Sequence, residues 1–257
     1  MLFRSLKQLR LKSTDEVLVV KNTGGPYISG CVTKTIEKVC RWSQIPSPKT
    51  RAVFVIHEFG FPCPLKKISA YQKKKLPIIE DCAYALGSRI EGAKVGVVGD
   101  YAIYSLPKYY PIPMGGLLIA RQKLKSPDRA RRLSASLQKI VLQTLSRSQV
   151  FVKVWNRQRR ENWKFFSGKF SSRKLPPYFA LTKGIVPGVY LMRVPKNFNG
   201  AVAKKRLNTA GVEATEYYHQ GGFLFPVHQF LTRYEKEYIR DCFFHSPGNF
   251  PATKSFR

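Results

Sequence analysis

One lysine of this chain lies in a setting that is unusual for a charged side chain. Lys108 falls within YSLPKYYPIPMGG, residues 104–116, which is otherwise apolar and proline-rich and ends in two glycines. Because a dry site disfavours the charged ammonium form, a lysine placed there is more readily a neutral amine. A neutral amine can attack an aldehyde and form a Schiff base. We therefore predict a dry site in which Lys108 is the nucleophile.

Pyridoxal phosphate (PLP) supplies an aldehyde of this kind, and it requires further groups around it. A carboxylate has to pair with the ring nitrogen, an aromatic ring can cover one face, and hydroxyl and backbone donors have to hold the phosphate. The sequence offers a candidate for each role: Asp81, Tyr27 and Ser105. The paired glycines 115–116 allow the chain to pass close to a ligand.

These residues follow segments that have the character of buried strands. The predicted strands are DEVLVV (15–20), RAVFVIHEFG (51–60), LPIIEDCA (76–83), GDYAIYSL (99–106) and GGLLIA (115–120). A helical pattern, CVTKTIEKVCRW (31–42), lies between the first two. Alternating strands and helices predict a largely parallel α/β sheet, in which ligands bind beyond the carboxyl ends of the strands. Asp81, Ser105 and Lys108 all fall at or just past such ends.

The pattern changes from about residue 126. Apolar residues recur at helical spacing with basic residues between them, so a long amphipathic helix is predicted. A linker, SGKFSSRKLPPY, precedes a strand, a helix and a second strand that together indicate a small α/β domain. The predicted organisation is a large cofactor-binding domain over 1–125, a basic helical connector over 126–170 and a small C-terminal α/β domain over 171–257.

Charge and cysteine content narrow the class of protein. The 45 lysines and arginines exceed the 15 acidic residues by 30, which predicts attraction to nucleic acid, to anionic membranes or to phosphorylated substrates. Five scattered cysteines without a Cys-x-x-Cys spacing favour a reducing cytoplasm and argue against a disulfide framework or a structural zinc site. The sequence contains no run of about eighteen apolar residues, so no membrane-spanning helix is predicted.

Several motifs in their order along the chain resemble a known family, the PLP-dependent nucleotide-sugar aminotransferases of the DegT type. The core of the resemblance is IEDCAYALGSRIEGAKVGVVGDYAIYSLPKYYPIPMGGLLIA, residues 79–120. VIHEFGFP, residues 55–62, is similar to a family strand that ends in His-x-x-Gly-x-Pro. The segment GVEATEYYHQGGFLFPVHQFLT, residues 211–232, resembles the closing part of the family.

The resemblance implies a role for each candidate residue. Lys108 would hold the cofactor covalently and move a proton between the cofactor and the substrate carbon. Asp81 would pair with the ring nitrogen, and Ser105 would bind the phosphate. Tyr27 would stack on the ring. Tyr84 stands where the family has glutamine or histidine, near a cofactor oxygen.

The resemblance also implies a fold and a reaction. The fold would be a fold-type-I aminotransferase, with a mostly parallel sheet in the large domain and a smaller C-terminal α/β domain. The reaction would move an amino group from glutamate to a keto group of a nucleotide-linked sugar, for polysaccharide or glycan synthesis. Family members are homodimers with their sites at the subunit interface, so a homodimer is implied.

Three departures from the family pattern are visible. The family begins with an additional segment that carries a Gly-Thr phosphate-binding turn, and this chain starts after the point where that turn should be. The Gly-x-Asn-x-Arg segment that the family contributes from a partner subunit is not found in residues 121–139. Ser105 also lies closer to Lys108 than in the family. An N-terminally incomplete member is therefore expected.

Two other classes of protein stay open from the sequence. One is a catalytically inactive pseudoenzyme of the same fold, and the other is a basic protein that binds nucleic acid or a membrane surface. Salt dependence of nucleic-acid binding would distinguish the second class. His57 and His228 are interpreted as structural histidines rather than as catalytic or metal-binding groups.

Overall fold

Apolar, β-branched runs form the inner strands of a six-stranded sheet. In the computed structural model, which describes residues 1–124 and 134–244, the strands of this part of the chain are β1 (Glu16–Lys21), β2 (Arg41–Ser43), β3 (Thr50–Ile56), β4 (Ile78–Asp81), β5 (Arg89–Ile90), β6 (Ala93–Lys94), β7 (Tyr101–Ser105) and β8 (Gly116–Ala120). Strands β5 and β6 pair with each other as a separate short ladder.

The order in the main sheet is β2-β1-β3-β4-β7-β8. Every neighbouring pair is parallel except β7 and β8, which run antiparallel. The carboxyl ends of β1, β3, β4 and β7 therefore lie along one edge, where ligands bind in sheets of this type. The predicted α/β fold with a mostly parallel sheet is confirmed.

Both faces of the central strands are covered by apolar side chains. Alternate residues of β1 and β3, such as Val17, Val19 and Phe54, pack in one cluster that also contains Leu6. Their neighbours Val53 and Val55 pack in a second cluster on the other face. A strand covered on both faces reads as a continuous apolar run, and this is why the inner strands are evident in the sequence.

In the described part of residues 1–148, the helices are α1 (Leu2–Gln8), α2 (Gly30–Ile36), α3 (Leu65–Lys73) and α4 (Ala135–Ser148). Single 3₁₀ turns form at Glu58–Gly60 and at Gln149–Phe151. The helix predicted over residues 31–42 is too long, because it ends at Ile36 and residues 41–43 pair with β1 as the edge strand β2. Among the described residues, no helix combines the length and the apolar character needed to cross a bilayer.

The rest of the chain contributes a smaller antiparallel sheet. Its elements are α5 (Val152–Ser171), β9 (Val189–Arg193), α6 (Gly200–Thr209), β10 (Thr215–Tyr217), β11 (Gly222–Pro226) and α7 (Arg233–Phe244). The strands pair in the order β10-β11-β9. Aromatic rings of Phe166, Phe170, Tyr190 and Phe225 pack against one another, with ring centres 4.8 to 5.6 Å apart, in the core of this part.

The described chain divides into two compact units. Residues 1–154 with 182–186 form the first, and residues 155–181 with those from 187 onward form the second. The segment predicted as a connector, 126–170, thus contains α4 of the first unit and most of α5 of the second. The domain boundaries given from the sequence, 1–125, 126–170 and 171–257, stay a prediction.

Candidate functional site

Four of the five predicted site residues lie at neighbouring strand ends of the main sheet. Asp81 is the last residue of β4, and Tyr84 follows it by three positions. Ser105 is the last residue of β7, the strand next to β4, and Lys108 follows it. The fifth residue, Tyr27, lies in the loop after β1, which β3 separates from β4. All five therefore belong to the same edge of the sheet.

Lys108 is exposed, so the prediction of a dry site around it is wrong for this chain by itself. The residues around it form one tight turn in which the N–H groups of Tyr109 and Tyr110 donate to the carbonyl oxygen of Leu106, at 3.1 and 2.8 Å. That turn directs Leu106, Tyr109 and Tyr110 into the protein, where all three are buried. Lys108 is left on the outer side of the turn, facing solvent.

The Lys108 ammonium lies over an aromatic ring. Its Nζ atom is 4.8 Å from the centre of the Tyr84 ring, within the range of a cation–π contact. The Tyr84 ring in turn contacts Phe59, with ring centres 6.0 Å apart. Phe59 has a φ of 56°, a left-handed conformation that is uncommon for a non-glycine residue and is found preferentially at functional sites. The contacts of Tyr84 with Lys108 and with Phe59 therefore join the loops after β3, β4 and β7.

Glycine is required at positions 115 and 116 for two different structural reasons. Gly115 has a φ of 101°, which side chains rarely adopt. A Cβ atom on Gly116 would lie 2.6 Å from the carbonyl oxygen of Tyr104, so only glycine allows β8 to return beside β7 at this point. The close approach that the structure shows is to the neighbouring strand, and the approach to a ligand expected from the sequence stays a prediction.

Asp81 lies where burial disfavours the ionised form of its carboxylate. Its Oδ1 atom accepts a hydrogen bond of 3.0 Å from the Ala83 N–H, while its carbonyl oxygen accepts one from the His57 N–H. Burial raises the pKa of Asp81, and the Ala83 N–H and the nearby His57 only partly oppose this rise. A positively charged ligand group beside Asp81 would favour the ionised form.

The residue before Asp81 is a functional neighbour to which sequence reasoning assigned no role. Glu80 is completely buried, and its two oxygens accept hydrogen bonds from His57 Nε2 and from the backbone N–H groups of Gly96, Val98 and Gly99, at 2.5 to 3.0 Å. Burial by itself would raise the pKa of Glu80, but the bonds from His57 and from the backbone lower it overall. The sequence did contain a signal for this network. Glu80 is a carboxylate inside a segment with the character of a buried strand, and a buried charge must be paired.

His57 is held in one orientation by the same network. Its Nδ1 atom accepts a bond of 3.1 Å from the Cys63 N–H, so Nε2 carries the proton that is donated to Glu80. His57, Glu80 and Cys82 lie close enough together to resemble a metal site. However, the Glu80 oxygens and both nitrogens of His57 are already used in hydrogen bonds, and we interpret the cluster as structural. The interpretation of His57 as a structural residue agrees with this geometry.

His228 lies in the second unit. Its Nδ1 atom accepts a hydrogen bond of 3.2 Å from the Phe230 N–H. Burial lowers the pKa of His228, and the positive charge of Arg159 adds to this. Its geometry supports the structural role given to it from the sequence.

A mostly parallel sheet with this arrangement of strand ends, together with a small α/β unit, is the fold of the aminotransferases. The aminotransferase TlmJ from Streptoalloteichus hindustanus superposes with a TM-score of 0.74 at 19% identity, over 94% of this chain and 82% of that chain. The sugar aminotransferase CalS13 from Micromonospora echinospora superposes with a TM-score of 0.70 at 18% identity, over 94% and 83% of the two chains. The predicted aminotransferase fold is confirmed.

The sequence comparison points to one family. Residues 41–124 match the model of the DegT/DnrJ/EryC1/StrS aminotransferase family. The GDP-perosamine synthase of Escherichia coli O157:H7 is 36% identical over 78 residues, which are 29% of this chain and 21% of that protein. The UDP-N-acetyl-3-dehydro-alpha-D-glucosamine 3-aminotransferase of Acidithiobacillus ferrooxidans is 42% identical over 60 residues, 23% of this chain and 16% of that protein. The matched part thus spans about a fifth of these curated relatives.

Proposed function

We propose that the protein is a PLP-dependent aminotransferase that moves an amino group, with glutamate as donor, to a keto group of a nucleotide-linked sugar. The observation that carries this proposal is the placement of Asp81 at the end of β4 and of Lys108 just past the end of the adjacent strand β7, inside the part of the chain that matches the family model. Two of its relatives, the GDP-perosamine synthase and the UDP-N-acetyl-3-dehydro-alpha-D-glucosamine 3-aminotransferase, are named for nucleotide-linked sugars.

The residues at this edge of the sheet fit PLP. Asp81 offers a desolvated carboxylate for the ring nitrogen, and Ser105 offers a hydroxyl at the end of β7 for the phosphate. Lys108 offers an amine that solvent and ligands can reach, and Tyr27 offers a ring to cover one face. When bound, PLP supplies an aldehyde for amines to attack and a ring that accepts electron density from the substrate carbon.

Each side chain has a definite task in this proposal. The Lys108 amine holds the cofactor and moves a proton to and from the substrate carbon that carries the nitrogen. The Asp81 carboxylate keeps the ring nitrogen protonated. The Tyr84 ring orients the Lys108 Nζ atom, which lies 4.8 Å from its centre. The excess of basic residues favours a substrate with a diphosphate group.

The proposal includes a homodimer in the cytoplasm whose product is used in polysaccharide or glycan synthesis. The exposure of Lys108 supports the dimer, because a second subunit at this edge would exclude water from the amine. Tyr84 replaces the glutamine or histidine of the family, so the group beside the cofactor oxygen would be a phenol.

The amino-transfer activity is tested by incubating the protein with PLP, glutamate and a panel of keto-sugar nucleotides, and by measuring 2-oxoglutarate. We expect 2-oxoglutarate to form with wild-type protein and with Lys94→Ala, whose lysine is exposed on β6, but not with Lys108→Ala. Equal amounts with wild type and Lys108→Ala would contradict the proposal and favour an inactive relative.

A further inference from the structure

A buried ion pair lies beside the site and takes no part in the chemistry described above. Lys21, the last residue of β1, and Glu58, in the turn after β3, are both almost completely buried, with side-chain exposures of 3% and 6%. Their Nζ and Oε1 atoms are 3.5 Å apart. Buried charges are costly, and their presence at a site calls for a physical reason.

The Glu58 carboxylate binds the loop after β1. Its Oε2 atom accepts a hydrogen bond of 2.7 Å from the Thr23 N–H, and its Oε1 atom accepts one of 2.9 Å from the Thr23 hydroxyl. Because Glu58 itself belongs to the loop after β3, one carboxylate fastens two strand-end loops together. Charge-assisted bonds of this kind are stronger than bonds between neutral groups.

Lys21 extends the connection to Tyr27. Its ammonium donates a hydrogen bond of 2.7 Å to the carbonyl oxygen of Tyr27, six residues further along the chain. A second lysine, Lys67 of α3, donates to the carbonyl oxygens of Lys21 and Asn22 at 3.2 and 3.0 Å. Burial lowers the pKa of Lys21, and the charge of Glu58 opposes this effect, so Glu58 supports the charged state of Lys21.

A second series of contacts links Glu58 to Lys108. The residue that follows Glu58 is Phe59, whose left-handed backbone places its ring against Tyr84, the ring beneath the Lys108 ammonium. A strained backbone of this kind persists only where its surroundings hold it. Glu58, fixed on both oxygens, is the anchor next to this strained residue.

We propose that Lys21 and Glu58 are positioning residues for cofactor binding, because their ion pair holds the loops of Tyr27 and Phe59 in a single arrangement. This inference rests on the proposed PLP-dependent function. Neither residue contacts the reacting atoms. Their effect is transmitted through Tyr27 on one side and through Phe59 and Tyr84 on the other.

The test compares PLP affinity and backbone amide exchange in Glu58→Gln, in Lys21→Met and in the double variant. Glu161→Gln is the control, since it removes a carboxylate from an exposed pair with Arg157. In folded Glu58→Gln we expect PLP to bind roughly tenfold more weakly, as for the loss of a charged hydrogen bond. Amide exchange is expected to rise over residues 22–29 and 57–62, with β4 and β7 unchanged.

The double variant keeps the test decisive if either single variant fails to fold, because it leaves no unpaired buried charge. It too is expected to bind PLP more weakly. PLP affinity within about twofold of wild type in the folded variants, or faster exchange in only one of the two loops, would overturn the positioning role. If wild-type protein itself does not bind PLP, the proposed function fails and the cofactor role of the pair fails with it. In that case, faster exchange of both loops would still mark the ion pair as a structural clamp.

Discussion

The Lys108 Nζ atom lies 4.8 Å from the centre of the Tyr84 ring, so an aromatic face lies against the exposed amine. Lys108 is at the end of the β7 segment and Tyr84 is at the end of the β4 segment, and the contact joins two neighbouring strand ends. An aromatic face attracts the ammonium without the strong charge pairing that would hinder its conversion to a neutral amine. The tyrosine therefore suits a lysine that must lose its proton to react.

Replacing Tyr84 tests this contact. We expect Tyr84→Phe to retain the reactivity of Lys108 towards PLP, because the aromatic face is preserved. Tyr84→Ala is expected to reduce the yield of the Lys108–PLP adduct about twofold to fivefold, as for the loss of an exposed cation–π contact. The yield is measured by borohydride reduction at subsaturating PLP. Equal yields from the two variants would show that the ring does not orient the lysine.

Asp81→Asn is expected to stabilise the protein without ligand while weakening PLP binding. An acid with a raised pKa in the folded state binds its proton more tightly there, so its contribution to stability falls as the pH rises above the unfolded value of about 3.9. At neutral pH the asparagine removes this cost and can still accept from the Ala83 N–H. Thermal unfolding should show a midpoint a few degrees higher. A lower midpoint would indicate that the Asp81 charge stabilises the fold.

Glu80 is expected to have the opposite effect on stability. Its folded pKa is lowered, so its contribution is fully present above the unfolded value of about 4.3 and is lost as the pH falls through the folded pKa. We expect Glu80→Gln to lower the free energy of unfolding at pH 7 by about 3 kcal/mol. The reason is that three backbone N–H groups and His57 would no longer donate to a charged carboxylate. Urea unfolding at several pH values measures both effects. A variant as stable as wild type at pH 7 would contradict the network.

Gly116→Ala tests the close approach of β8 to β7. The added Cβ atom would lie 2.6 Å from the carbonyl oxygen of Tyr104, so we expect a loss of about 1–3 kcal/mol in the free energy of unfolding. Gly24→Ala is a matched control, since an added Cβ atom there has no neighbour within 4 Å. The control is expected to be neutral or slightly stabilising. Similar losses in both variants would show that the effect is not specific to the strand return.

Much of the fold could be predicted from the sequence because its inner strands are covered on both faces. β1 and β3 contain continuous apolar runs, β4 and β7 contain shorter ones, and the ends of β4 and β7 mark Asp81 and Ser105. The edge strand β2 was not predicted, since its three residues Arg41–Ser43 continue a helical pattern and their pairing with β1 is visible only in three dimensions.

The site was predicted less completely than the strands. The sequence was enough to place Lys108 and Asp81 near strand ends and to suggest their chemistry. It did not show that Lys108 is exposed. That exposure depends on the turn that buries Leu106, Tyr109 and Tyr110, and an apolar run does not show which of its members face inward. The roles of Glu80 and Glu58 were missed for a similar reason, because their donors come from segments distant in the sequence.

Borohydride trapping of PLP on Lys108 tests the central claim most directly. Purified wild-type protein, Lys108→Ala and Lys94→Ala are mixed with PLP, reduced and digested, and the modified peptides are identified by mass spectrometry. We predict one dominant adduct, on the peptide that contains Lys108, in wild type and in Lys94→Ala, and its loss in Lys108→Ala. Adducts spread over many surface lysines, with the same pattern in Lys108→Ala, would contradict a cofactor site at this strand end.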